Sequence, residues 1–114
     1  WIDDETRMDA VTATSGSGPA YVFLLAEAME AAAIAEGLAP DAARTLVQET
    51  LLGASRMLVE SGEAPAELRR RVTSPNGTTQ AAIETFEAGG FRDLVAHAIA
   101  AATRRGRELS AAND

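Results

Sequence analysis

Apolar residues recur three and four apart along most of this chain and alternate with polar ones over no useful length, so the pattern predicts helices and no strand. Glycine and proline punctuate it. Breaks fall at Ser15-Gly16-Ser17-Gly18-Pro19, Gly37-Leu38-Ala39-Pro40, Ser61-Gly62-Glu63-Ala64-Pro65, Thr73-Ser74-Pro75-Asn76-Gly77 and Gly89-Gly90. Each proline stands at or just ahead of a helical run, and a glycine often follows the run before, the asymmetry expected of helices in series. The predicted helices cover 5–14, 19–36, 40–61, 65–72, 79–88 and 91–109.

The faces differ between runs. From Ala20 to Leu25 the second run is apolar nearly all round, which predicts a central helix buried on several sides. The third places Val47, Leu51, Ala54 and Leu58 on one stripe, with Arg44, Gln48, Glu49, Arg56 and Glu60 mostly elsewhere. The short fourth run sets Leu68 and Val72 on one side. The fifth carries Ala82, Ile83 and Phe86, and the last carries Leu94, Val95, Ala98, Ile99 and Ala102 before Arg104, Arg105 and Arg107 near its end.

Composition sharpens this picture. The chain has 114 residues, enough for one compact domain. Of its 46% apolar residues, 25 are alanine and only 10 are leucine. Alanine forms helices well and lets them approach closely, but its burial yields little transfer energy. Pairing with a second subunit suits such a chain.

Seventeen acids against ten bases leave a net charge of −7, and all ten bases are arginine. That balance argues against a nucleic-acid footprint. Without cysteine and with His97 as the lone histidine, no thiolate or histidine metal site and no histidine-centred triad is expected. No run of about 18 uncharged apolar residues is present and no signal peptide opens the chain, so a soluble cytoplasmic domain without a membrane partner is expected. The start at Trp1 suggests a fragment or processed product.

Two segments combine small residues with hydroxyls ahead of helices: Ser15 to Pro19 and Thr73 to Thr79. Such segments suit an anion, because backbone N–H groups at a helix start are unpaired and carry the positive end of the dipole. Taken singly, plain helix capping is the commoner reading of each. Gly16-Ser17-Gly18 follows no strand and precedes proline, so it is not the glycine fingerprint of a dinucleotide site. Glu27 and Glu30 read as a solvated stripe and His97 as a boundary or surface residue.

Together the segments are more specific. Asp9-Ala10-Val11-Thr12-Ala13-Thr14-Ser15-Gly16-Ser17-Gly18-Pro19-Ala20-Tyr21-Val22-Phe23 resembles the signature of pyrroline-5-carboxylate reductases, as does Val72-Thr73-Ser74-Pro75-Asn76-Gly77-Thr78-Thr79. Gln48 to Ala54 and Arg104 to Leu109 fit that family too. Two positions depart from its pattern: Thr14 replaces a leucine, and Asn76 replaces the first glycine of Ser-Pro-Gly-Gly-Thr-Thr. Asparagine tolerates left-handed backbone well, so the turn can persist.

The resemblance implies an all-α bundle that dimerises by interleaving helices, occupying 1–114 as the C-terminal dimerisation and substrate-binding domain, with no Rossmann domain in this chain. It implies a homodimer or higher homo-oligomer, and a parent enzyme that reduces 1-pyrroline-5-carboxylate to L-proline with NAD(P)H. The isolated chain is then expected to hold no cofactor and to be inactive. Thr12 is the implied catalytic residue, hydrogen-bonding the imine nitrogen, while Ser74, Asn76, Gly77, Thr78 and Thr79 are the implied substrate-binding residues, holding the carboxylate. The β-hydroxyacid dehydrogenases resemble this layout but rely on a helix-borne lysine, and this chain has none. The competing expectation is a non-enzymatic helical oligomerisation module whose loops merely cap helices.

Overall fold

The computed structural model describes residues 5–112, so the extreme ends of the expected 1–114 domain lie outside the described residues. Those residues contain helices and no strand. In order they form α1 (Glu5–Val11), a π-helical turn (Thr12–Gly16), α2 (Gly18–Ala35), α3 (Pro40–Ser61), α4 (Pro65–Arg71), α5 (Thr78–Ala88) and α6 (Phe91–Ala112). The predicted helix series is therefore observed, with two changes of consequence. The first run turns π-helical at Thr12, and α6 continues to Ala112. That extension leaves no basic residue in the last turn of α6, so Arg104, Arg105 and Arg107 stand short of its C-terminal dipole.

Local chemistry explains the boundaries. Pro40 and Pro65 each stand in a helical first turn, after Ala39 and Ala64 in extended conformation. α2 ends in a Schellman-type closure: the Leu38 N–H donates to Ala33 O at 3.1 Å, while Gly37 takes φ +106°. Gly62 closes α3 in the same left-handed region, at φ 71°.

The helices divide into two compact units, one made of the chain up to Val22 together with Thr85 onward, the other of Phe23–Glu84. In the first, α6 runs against α1 and the π turn. Gly106 permits the approach, since a Cβ there would lie 3.3 Å from Asp9 Oδ1. Ala13 is 2% exposed in that packing. Phe86 and Phe91 meet edge-on with ring centroids 5.3 Å apart, and Arg92 Nε sits 2.9 Å from a Glu87 carboxylate oxygen. The Glu87 carboxylate, by hydrogen bond and then by charge, holds the Arg92 guanidinium above its ordinary pKa. In the second unit, α3 packs on α4, and Ala43, Val47 and Leu68 are buried. Arg71 reaches Glu63 and Glu67, tying α4 to the turn before it.

Burial departs from expectation. The predicted central helix has no buried residue: Phe23 is 67% and Leu24 66% exposed. Only Val47 of the α3 stripe and Leu68 of the α4 pair are buried, and Leu94 on α6 is 67% exposed. The reason is supply. A short alanine-rich chain has too few elements to cover every apolar face. The run from Arg7 to Ala35 is also long and apolar enough to cross a membrane, by length and composition alone. Unbroken uncharged stretches alone do not reveal it, because the run includes charged residues and the π turn joins two helices.

Each exposed Phe or Leu is worth about 1.5–3 kcal/mol when buried, so a second copy is the expected cover. The chain should sediment at twice its mass or a multiple of that at micromolar concentration. Phe23→Glu with Leu24→Glu should abolish that assembly, because neither side chain is used within the chain. A monomeric wild type, or a charged variant of unchanged mass, would contradict this account.

Candidate functional site

Two places gather the chemistry, one in each unit. The first surrounds Thr12. The expected open segment Ser15 to Pro19 is instead wound into helix: the Ser17 N–H donates to Thr12 O at 2.8 Å, a five-residue step, and the Ala20 N–H donates to Ser17 O. The Ser17 N–H is thus spent within the turn and is not offered to an anion. Proline explains part of this, because Pro19 offers no N–H for an α-helical bond to Ser15 O. Hydroxyls explain more. Thr14 and Ser15 donate back to Ala10 O and Val11 O at 2.8 and 2.9 Å, which competes with the regular ladder.

Thr12 differs from its neighbours. It is exposed, and its hydroxyl has no hydrogen-bond partner among the described residues. Its methyl lies toward Gly16, where an added Cβ would come within 3.4 Å. An unused hydroxyl on a fixed turn can meet a ligand nitrogen or oxygen.

The second place is the turn before α5. Ser74, Pro75, Asn76 and Gly77 close it, with the Gly77 N–H donating to Ser74 O at 3.2 Å. Asn76 has φ 60° and is the one non-glycine residue with positive φ among those described, so asparagine does take the left-handed position expected of it. Proline second and a left-handed residue third is the pattern of a type II turn. Gly77 is needed for space, since a Cβ would lie 3.3 Å from Ser74 O. The Asn76 N–H donates to the Gln80 side chain, and the Gln80 amide donates to Glu84 at 3.0 Å.

Beyond the turn, α5 presents its first N–H groups. Those of Thr78 and Thr79 have no acceptor within a helix and meet none among the described residues. The hydroxyls of Ser74, Thr78 and Thr79 cap nothing there either. Small and rich in free donors, this corner suits a carboxylate. Beside it, a shallow cavity of about 360 Å³ is lined by Arg69, Thr73, Pro75, Gln80 and Ile83, among others. Arg69 has no ion pair among the described residues, unlike Arg70 and Arg71.

The structure thus brings Ser74, Asn76, Gly77, Thr78 and Thr79 into one turn, while Thr12 belongs to the other unit. His97 is exposed, and Glu27 faces solvent with Glu30 half-buried. No group of three or more metal-ligating side chains exists among the described residues. Two participants escaped the sequence reading. Gln80 was signalled by its place in the first turn of a helix, where a Glu or Gln side chain reaches back to an earlier N–H. Tyr21, whose hydroxyl donates to Ala13 O at 2.5 Å, had no local signal because eight residues separate the pair.

Known proteins resemble this chain over nearly its whole length. A family model for pyrroline-5-carboxylate reductase dimerisation matches residues 5–109. The pyrroline-5-carboxylate reductase of Pseudomonas aeruginosa is 56% identical over 110 residues, 96% of this chain and 40% of that protein. The enzyme of that name from Pisum sativum is 46% identical over the same shares. Among solved structures, a pyrroline-5-carboxylate reductase from Coxiella burnetii superposes with TM-score 0.91 at 44% identity, covering 96% of this chain and 40% of that one. A pyrroline carboxylate reductase from Plasmodium falciparum, solved with NADP bound, gives 0.88 at 32% identity, covering 93% and 40%. The chain spans about two-fifths of the length of the curated relatives it matches.

The turn geometry makes its own prediction. Asn76→Gly should keep or slightly raise stability, whereas Asn76→Val should cost about 1–2 kcal/mol in urea unfolding, since a β-branched residue resists left-handed backbone. Equal stability of the two variants would mean that the turn is not held as described.

Proposed function

We propose that this chain, which belongs to the pyrroline-5-carboxylate reductase dimerisation family, supplies the subunit-pairing and substrate-binding part of an enzyme that reduces 1-pyrroline-5-carboxylate to L-proline. The match over 5–109 to reductases of that name carries the reading. The uncapped start of α5 supports it, because the substrate bears a carboxylate. The assembled enzyme is a cytoplasmic homodimer or higher homo-oligomer, in keeping with the apolar surface this chain leaves open.

NAD(P)H is the hydride donor of the whole enzyme, a role supported by the NADP in the Plasmodium falciparum relative. The residues present do not fit that group. Among those described there is no strand and no strand–glycine–helix element, and the one Gly-x-Gly, Gly16-Ser17-Gly18, has its Ser17 N–H committed to Thr12 O. Hydride transfer is therefore no work of this chain.

Its own residues bind and orient. The Thr78 and Thr79 N–H groups, with the hydroxyls of Ser74, Thr78 and Thr79, hold the substrate carboxylate against the α5 dipole. Asn76 and Gly77 give the turn the shape that leaves those donors free. The Thr12 hydroxyl hydrogen-bonds the imine nitrogen, fixing the ring for attack at its carbon. A substrate that arrives as the iminium already carries its proton, so no strong side-chain acid is required.

In the complete two-domain protein, Thr79→Ala should raise KM tenfold or more, as losing a hydrogen bond to a charged group costs about 1.5–3 kcal/mol. The melting temperature should hardly move, because Thr79 caps nothing. A module whose threonines merely cap helices would instead lose about 0.5–2 kcal/mol of stability with KM unchanged. The chain on its own should form no proline from pyrroline-5-carboxylate and NADPH. Turnover by the pure chain would remove the division of labour proposed here.

A further inference from the structure

The π turn displaces one hydrogen bond and leaves a carbonyl to be satisfied. In an α-helix the Ser17 N–H would serve Ala13 O; here it serves Thr12 O, at 2.8 Å. Ala13 is 2% exposed, so water is a poor substitute, and a buried carbonyl without a donor is costly. The Tyr21 hydroxyl donates to that same carbonyl at 2.5 Å, from one turn inside α2. Pro19 holds the other end of the register, because it lacks the N–H that would draw Ser15 O back into an α-helical ladder. Tyr21 and Pro19 thus fix the same turn from opposite sides, one by giving a donor and one by withholding it.

Thr12 stands at the start of that turn. Its carbonyl takes the displaced N–H, its methyl lies toward Gly16, and its hydroxyl is free among the described residues. We propose that Tyr21 is the positioning residue for Thr12: its hydroxyl, by satisfying Ala13 O, locks the π turn that presents the Thr12 hydroxyl to the substrate. The inference rests on the imine-binding role proposed for Thr12 and adds the residue that acts through it. Tyr21 touches no substrate in this account. Were the turn to revert to α-helical register, the residues from Thr12 onward would rotate about the helix axis and carry the hydroxyl away from its place.

Tyr21→Phe in the complete two-domain reductase removes the hydroxyl and keeps the ring. The expected result is a kcat about tenfold lower, the size of one hydrogen bond lost from the transition state, with KM changed less than about twofold. In a Thr12→Ala background, which itself should lower kcat, the same substitution should add almost nothing, since it acts only through Thr12. If Thr12→Ala lowers kcat while Tyr21→Phe leaves it unchanged, or if the two losses multiply, the positioning role is overturned and the role of Thr12 stands. If Thr12→Ala leaves kcat unchanged, the role of Thr12 fails and the inference falls with it. Should Tyr21→Phe not assemble, Pro19→Ala provides the second probe, because it restores the N–H that favours α-helical register. Its kcat loss should likewise vanish in the Thr12→Ala background, and a loss that persists there would overturn the proposal.

Discussion

Too little buried surface is the constraint from which the rest of this structure follows. Local rules specify six helices among the described residues, yet of those residues only Ala13, Ala43, Val47 and Leu68 are buried hydrophobics. Conformational entropy opposes folding by about 1–2 kcal/mol per residue, and four small or medium buried residues offset little of it. The exposed faces of α2 and α6 hold the missing apolar area: Phe23, Leu24 and Leu94 are each about two-thirds exposed. Another subunit can cover such faces, and so can lipid, as the length and apolarity of the Arg7 to Ala35 run make plain. Membership of a dimerisation family supports cover by the subunit.

That constraint also divides what the sequence made legible from what it did not. Helix positions were legible, because proline and glycine act through the backbone of their own and adjacent residues. Pro40 and Pro65 open helices, and Gly37 and Gly62 close them, whatever surrounds the chain. Burial was not legible in the same way. An apolar stripe shows which face avoids water but not what covers it, so the Tyr21 to Leu25 block reads as interior although this chain leaves most of it exposed. The outcome was an exposed helix with the expected ends.

The two hydroxyl-rich segments make the same point at the scale of single bonds. Ser15 to Pro19 and Ser74 to Thr79 look alike as strings of small polar residues before a helix. What separates them is where their N–H groups go. Ser17 spends its own on Thr12 O, five residues back, while those of Thr78 and Thr79 have nothing behind them to reach. Asn76 could be read correctly beforehand, since its tolerance of positive φ is a property of the residue itself. The link from Tyr21 to Ala13 could not, because it depends on a carbonyl that becomes free only once the π turn has formed.

The strength of a polar corner depends on the dielectric around it. A carboxylate held by two N–H groups and a few hydroxyls at an open turn competes with water, and the net gain per hydrogen bond there is small. The same donors in a water-excluded place are worth several times more, since the attraction scales inversely with the local dielectric. Thr12, Ser74, Thr78 and Thr79 are all exposed in the single chain, as are the apolar faces of α2 and α6. A chain that left its apolar area buried internally would have a firmer fold. This one leaves its apolar faces to be covered by association.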